Sequence, residues 1–224
     1  MLDRLRRVRA LTFDCYGTII DWDGGIRATC ESLTELAGLD LDQLLTDREE
    51  VEAEIEAGPF RLYGAVLAES LMRATQLQDR TISAETAHEF AFSVARWPAF
   101  ADSRAALKRL GARFRLGIVS NIETSVLSES VEPLGVSFEA MVTAEEVESY
   151  KPARAHFDEV LRRFGLDKED VLHVAGSLFH DVRPATELGW NAVWINRRGE
   201  PVPDDVDAER VFPDLASLAD VLDR

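Results

Sequence analysis

An α/β fold with a doubly wound, mostly parallel sheet is predicted by two observations. Five apolar runs, at residues 10–13, 116–119, 140–142, 171–175 and 192–195, are strand-length and, except for the third, rich in β-branched residues. Helical patterns lie between the later runs, at 103–110, 124–131, 153–164 and 184–188. Alternation of this kind marks βαβ units, and near-continuous apolar strands suit a sheet covered on both faces. A strand-like Val211–Phe212 and a helix over 215–222 follow.

The stretch from about Gly24 to Arg96 breaks the rhythm. It shows no clear strand and reads as successive helices. Leu33, Leu36 and Leu39 begin an apolar stripe that Val51, Ile55, Val66, Leu67 and Leu71 continue. Gly58 and Pro59 mark a turn between two of the helices. Trp97 and Pro98 mark the return to the strand–helix alternation, with Trp97 expected to pack at the hinge. The expected organisation is a Rossmann-like core, residues 1–22 and 97–224, with an α-helical subdomain, residues 23–96, inserted after the first strand.

Composition excludes some functions. The net charge is −16, which repels nucleic acid and anionic membranes. The one basic cluster, Arg4, Arg6, Arg7 and Arg9, reads as a solvated lead-in to the first strand. No apolar run approaches a membrane-spanning length. Cys15 and Cys30 form neither a disulfide framework nor a metal spacing, and Cys15 reads as buried filler. With no apolar leader stretch, a reducing, cytoplasmic setting is expected.

Doubly wound sheets bind ligands beyond the carboxyl ends of their strands. Four polar groups fall there: Asp14 after the first strand, Ser120 and Asn121 at the second, Lys151 after the third and Asp181 after the fourth. They are expected to converge on one cleft. The run Phe13-Asp14-Cys15-Tyr16-Gly17-Thr18 resembles the first motif of the haloacid dehalogenase superfamily. Ser120-Asn121 resembles the second, Lys151-Pro152 the third and Asp181 in Gly176-Ser177-Leu178-Phe179-His180-Asp181 the fourth. The resemblance covers almost the whole chain, and the helical insertion resembles the superfamily's cap.

The resemblance implies a hydrolase with Asp14 as nucleophile. A carboxylate attacks well only when ionised and poorly hydrated, and the Lys151 ammonium is expected to lower its pKa. Thr18, read as the start of a helix after a glycine turn, is expected to position Asp14, with backbone N–H groups favouring negative charge. Ser120 and Asn121 offer polar donors to substrate or leaving group. Asp181 would activate the water that cleaves a covalent ester, or hold Lys151 in place.

The branch is decided two residues after the nucleophile. The superfamily's phosphatases carry an aspartate there as general acid/base, and this chain carries Tyr16, a phenol with a pKa near ~10. A halide leaves without a proton. The Asp14-x-Tyr16-Gly17-Thr18 run thus resembles the 2-haloacid dehalogenases, which act on small carboxylates without a metal or other cofactor. The alternative is a magnesium-dependent phosphatase, with Asp14, Tyr16 and Asp181 about the ion. A third reading is hydrolysis of another activated C–N or C–O bond by the same ester route. A catalytically idle binding protein is disfavoured, because buried charges are costly without a reason to be paired.

The chain also departs from the dehalogenase pattern. Leu178 stands where an asparagine is usual and Phe157 where a tyrosine is usual, and His180 is a candidate to compensate. Dehalogenases take an arginine from the cap to receive halide and carboxylate, for which Arg61 is the first choice and Arg48 the second. Trp22 would wall an apolar pocket. His88, His156 and His173 match no metal spacing and read as structural or exposed. The insertion is expected to close over the cleft, and the resemblance leaves room for a homodimer, which members of the superfamily often form through the cap.

Overall fold

A computed structural model describes residues 7–223. Arg4 and Arg6 of the basic cluster lie outside the described residues, while Arg7 and Arg9 are exposed, as a solvated lead-in requires. Six strands form one parallel sheet: β1 (Ala10–Phe13), β2 (Arg115–Ser120), β3 (Ala140–Thr143), β4 (Val171–Ala175), β5 (Asn191–Ile195) and β6 (Val211–Phe212). Their order is β3-β2-β1-β4-β5-β6. The chain therefore winds one way from β1 and later the other way. The crevice opens where β1 meets β2 and β4, the switch point at which such sheets take ligands.

Alternation along each strand splits the apolar core into two layers. Leu11, Phe13, Leu116, Ile118, Leu172 and Val174 join one cluster. Ala10, Val119, Val142, Val171 and Ala175 join the other. The second layer is closed by α8 (Ala155–Phe164) and α9 (Arg183–Glu187), through Phe157, Val160 and Ala185. The first is closed by α5 (Ser103–Gly111) and α10 (Leu215–Leu222), through Leu107, Leu110 and Leu218. The remaining helices of the sheet domain are α6 (Thr124–Val131) and the short α7 (Ala144–Val147). α8 begins two residues later than the apolar pattern indicates.

Four helices fill the insertion: α1 (Trp22–Ser32), α2 (Leu41–Glu56), α3 (Tyr63–Leu77) and α4 (Ala84–Ser93). Their starts follow ordinary capping chemistry. Asp21, Asp40 and Ser83 each accept a backbone N–H of the first turn of α1, α2 and α4. α2 buries Leu44, Arg48, Val51 and Ile55, a helical stripe interrupted by one arginine. The apolar residues of the insertion belong to the same cluster as Phe13 and Ile19, so the helical cap rests on the sheet domain through a continuous core.

The outgoing and returning chains are tied together beside the crevice. Asp21 N donates to Pro98 O at 2.8 Å, and Phe100 N to Ile19 O at 3.0 Å. Trp97 packs edge-on against Trp22 at 4.8 Å, in keeping with its expected hinge position. The fit leaves no room at Gly25, where a β-carbon would lie 2.3 Å from the Trp97 ring. Gly25→Ala is expected to cost about 1–3 kcal/mol, as overpacking does. A urea midpoint equal to wild type would show that Trp97 yields without loss.

Candidate active site

One cleft of about 510 Å³ lies between the strand ends and the cap, lined by Asp14, Ser120, Asn121, Lys151, Asp181 and His180 from the sheet domain. Lys151 organises it. Its ammonium is 2% exposed, and Nζ donates to Asp14 Oδ1 at 2.9 Å, Asp181 Oδ1 at 2.7 Å and Val119 O at 3.0 Å. An ammonium has three donors, and all three are used. Burial opposes the charge, but the two carboxylates outweigh it and hold Lys151 protonated, above its ordinary pKa.

Asp14 follows β1 directly, and its Oδ2 accepts the Thr18 hydroxyl at 2.7 Å. Thr18 Oγ1 in turn accepts Gly176 N at 2.7 Å, which joins the first motif to the end of β4. A β-carbon at Gly176 would approach Gly17 O to 2.5 Å, so only glycine permits that contact. Two expectations need correction here. Thr18 lies in a turn, and the helix that follows begins only at Trp22, so the helix start expected at Thr18 is not found there. The Asp14 carboxyl is not lowered. Burial raises it above the ordinary 3.8, the Asp181 charge adds to this, and Lys151 and Thr18 offset only part. Asp14, unlike Asp181, has no histidine beside it to add to the pull of Lys151.

Asp181 is lowered instead. Burial alone would raise it, but Lys151 and His173 outweigh that cost. His173 Nε2 lies 3.0 Å from Asp181 Oδ1 and Nδ1 lies 3.0 Å from Thr12 Oγ1. A carboxylate only accepts, so Nε2 carries a proton toward Asp181, while Nδ1 pairs with the Thr12 hydroxyl. Asp181 Oδ2 has no hydrogen-bond partner among the described residues.

The polar pair after β2 divides its work. Asn121 Nδ2 donates to Lys151 O at 3.1 Å, while its Oδ1 accepts Lys151 N at 2.7 Å. Asn121 is thus a clamp on the backbone of Lys151, and it also lines the cleft. Ser120 lines the cleft, and its hydroxyl has no hydrogen bond among the described residues. His156 donates Nε2 to Ser120 O at 3.2 Å and stays neutral, its pKa lowered to about 3 by burial first and Lys151 second. His180 lines the cleft beside Ser177, with its pKa lowered by burial first. His88 is exposed, packed on Phe92.

Tyr16 turns away from the nucleophile. Its hydroxyl meets Ser130 Oγ at 2.7 Å, and burial raises the phenol well above its ordinary pKa. Trp22 walls the cleft, 5.9 Å from Tyr16 and 6.3 Å from Tyr63. Leu178 also lines it, whereas Phe157 packs against His173 at 5.3 Å. Cys15 is buried, and its thiol is held well above its ordinary pKa by burial first.

The choice of Arg61 is overturned. Its guanidinium pairs with Glu69 at 2.8 Å and the side chain is 40% exposed, outside the cleft lining. Its partner Glu69 belongs to α3, two turns into the helix that Arg61 precedes. Arg48 enters the cleft instead. It is 3% exposed, its guanidinium stands over the Trp22 ring at 5.9 Å, and it pairs with Glu52, which also takes the Tyr63 hydroxyl. Arg48 Nε has no partner among the described residues. Glu52 and Glu56 of α2 also reach the cleft and were not foreseen.

A model of the haloacid dehalogenase-like hydrolase family matches residues 8–189. The chain belongs to this family. The haloacetate dehalogenase H-2 of Moraxella sp. (strain B) is 26% identical over 200 residues, 87% of this chain and 88% of the relative. The glyceraldehyde 3-phosphate phosphatase of Methanothermobacter thermautotrophicus is 31% identical over 145 residues, 61% of this chain and 63% of the relative. A solved L-2-haloacid dehalogenase, 24% identical, matches with a TM-score of 0.84 over 97% of this chain and 99% of its own.

Phosphatases of the family would need a magnesium centre, and the residues present do not fit one. Asp14 and Asp181 each commit Oδ1 to Lys151, and the Tyr16 hydroxyl is turned to Ser130. Among the described residues, no three His, Cys, Asp or Glu side chains converge to hold an ion. The described residues also contain no helix long and apolar enough to cross a membrane.

Lys151→Met removes the cation that, among the described residues, touches both carboxylates. The expected cost is about 3–5 kcal/mol, as for breaking a buried pair. Adding Asp181→Asn is expected to recover part of it, since the two sites are directly coupled. Additive losses in chemical denaturation would show that the pairing contributes no stability.

Proposed function

We propose that this hydrolase removes halide from small 2-haloacids through a covalent ester on Asp14. The observation that carries this reading is the pairing of a buried, Lys151-held carboxylate with a Tyr16 that can serve no proton transfer. Asp14 is desolvated and within reach of the cleft. One of its oxygens attacks the halogen-bearing carbon, and the carbon–halogen bond breaks with its electrons leaving on the halide. Chloride and fluoride ions need no proton from a group at position 16.

Arg48 offers the leaving halide and the substrate carboxylate a buried cation with an open Nε. Trp22 and Leu178 give the apolar carbon a dry wall. Ser120 supplies a free hydroxyl. In the second step water attacks Cγ of Asp14. The Lys151 ammonium and the Thr18 hydroxyl already touch both oxygens of that carboxyl group, so they oppose the negative charge of the tetrahedral intermediate. Asp181 Oδ2, open to a hydrogen bond, orients the water. His173 and Thr12 keep Asp181 from turning. Homology to a haloacetate dehalogenase over most of both chains supports the assignment. The phosphatase reading would require a proton donor where the chain has Tyr16, whose hydroxyl is turned to Ser130.

Chloride release from 2-chloropropionate is expected without added metal and unchanged by EDTA, and Asp14→Asn is expected to fall to background. Phosphate release that needs magnesium, with no halide released, would falsify this function. The acid limb of kcat/KM reports Asp14. Activity requires its ionised form, so it rises with pH through a midpoint above 3.8, the ordinary aspartate value from which burial raises it. An acid limb centred below that value would mean that Lys151, not burial, dominates at Asp14.

A further inference from the structure

We propose that Glu56 is a proton donor in the roof of the cleft, extending the Asp14 ester route to small carboxylates whose leaving group is an oxygen in a strained ring. The inference rests on the Asp14 route above and adds a substrate class to it.

A displacement at carbon expels its leaving group on the side opposite the nucleophile. Asp14 belongs to the strand ends, so the leaving group is directed toward the cap. The cap presents one helical face there: Arg48, Glu52 and Glu56 of α2, spaced four residues apart, all line the cleft. Glu52 is occupied by Arg48 and by the Tyr63 hydroxyl. Glu56 makes no hydrogen bond among the described residues and is half-buried. The buried, unpartnered Arg48 Nε beside it marks a place for an anionic end of a ligand. A plain haloacid has a use for Arg48 and none for a carboxyl group beside it.

The surroundings of Glu56 keep it a neutral acid. Its pKa is pushed up to about 8, by burial first and by Glu52 second, against Arg48 and Lys151. Tyr63 from α3 and Tyr150 from the loop after α7 also face it, and both phenols stay protonated. Near neutral pH it can therefore donate, which Tyr16 cannot.

With an oxirane carboxylate, an Asp14 oxygen bonds to a ring carbon and the ring C–O bond breaks. The electron pair goes to the ring oxygen, which takes the Glu56 proton. Water then adds to Cγ of Asp14 and the acyl–oxygen bond breaks, releasing a diol acid. The net proton freed in that step returns to Glu56. One water is consumed, and no oxidant or metal is needed.

The test compares wild type and Glu56→Gln on oxirane-2-carboxylate and 2-chloropropionate, from neutral to alkaline pH. Wild type is expected to form glycerate, with kcat falling above pH about 8. Glu56→Gln is expected to lose at least ~100-fold more rate on the oxirane than on the chloro acid, the usual lower worth of a general acid. Equal losses on both substrates, or dechlorination with the oxirane left intact, would overturn the role of Glu56. Failure of wild type on both substrates would overturn the Asp14 route itself, and this extension with it.

Discussion

The whole site depends on one ammonium group. Lys151 Nζ touches a group at the end of β1, a carbonyl of β2 and a carboxylate beyond β4. Those strands are neighbours in the sheet, so their spacing decides where the three acceptors lie. A buried cation is costly unless its donors are satisfied. Here they are, and the satisfaction is what gathers Asp14 and Asp181 around one point. Remove that ammonium and the three strand ends lose their common partner.

Around that point the polar contacts form a chain. It runs from Thr12 through His173 to Asp181, across Lys151 to Asp14, and on through Thr18 to the backbone of Gly176. Each link has donors and acceptors that match, so the nucleophile has little freedom to rotate. Charge is then set by competition. Asp181 has Lys151 and His173 and stays ionised easily. Asp14 has a share of Lys151 and one hydroxyl, and desolvation leaves it the stronger base of the two. The more basic carboxylate is the one that follows β1 and opens onto the cleft.

Much of this was legible in the sequence. The strand pattern located all six strands, the five longer ones because strands buried on both faces read as plain apolar runs. Asp14, Lys151 and Asp181 were legible because the ends of neighbouring strands must meet. The contribution of His173 was harder to see, although a histidine inside an apolar strand signals a buried partner. Arg61 misled because a turn gives no direction for the side chain after it. The register of α2 held the better signal: Arg48 falls on the stripe of Leu44, Val51 and Ile55, and a lone arginine on a buried stripe points to something it must meet. The pKa order of the two carboxylates was not legible at all, since it depends on a histidine standing beside one of them and not the other.

The charged groups that α2 offers to the cleft have a single mechanical origin. Arg48, Glu52 and Glu56 descend from one rigid rod, one turn apart, and none is supplied by a loop that could adjust by itself. One extra residue near the start of α2 would swing all three by about 100°, out of the roof and into solvent. Drift in this enzyme's preferences is therefore expected to come through rolling or sliding that rod, which changes all three groups together. Evolution can retune such a roof in one step, but it cannot easily change one of its teeth and keep the others where they were.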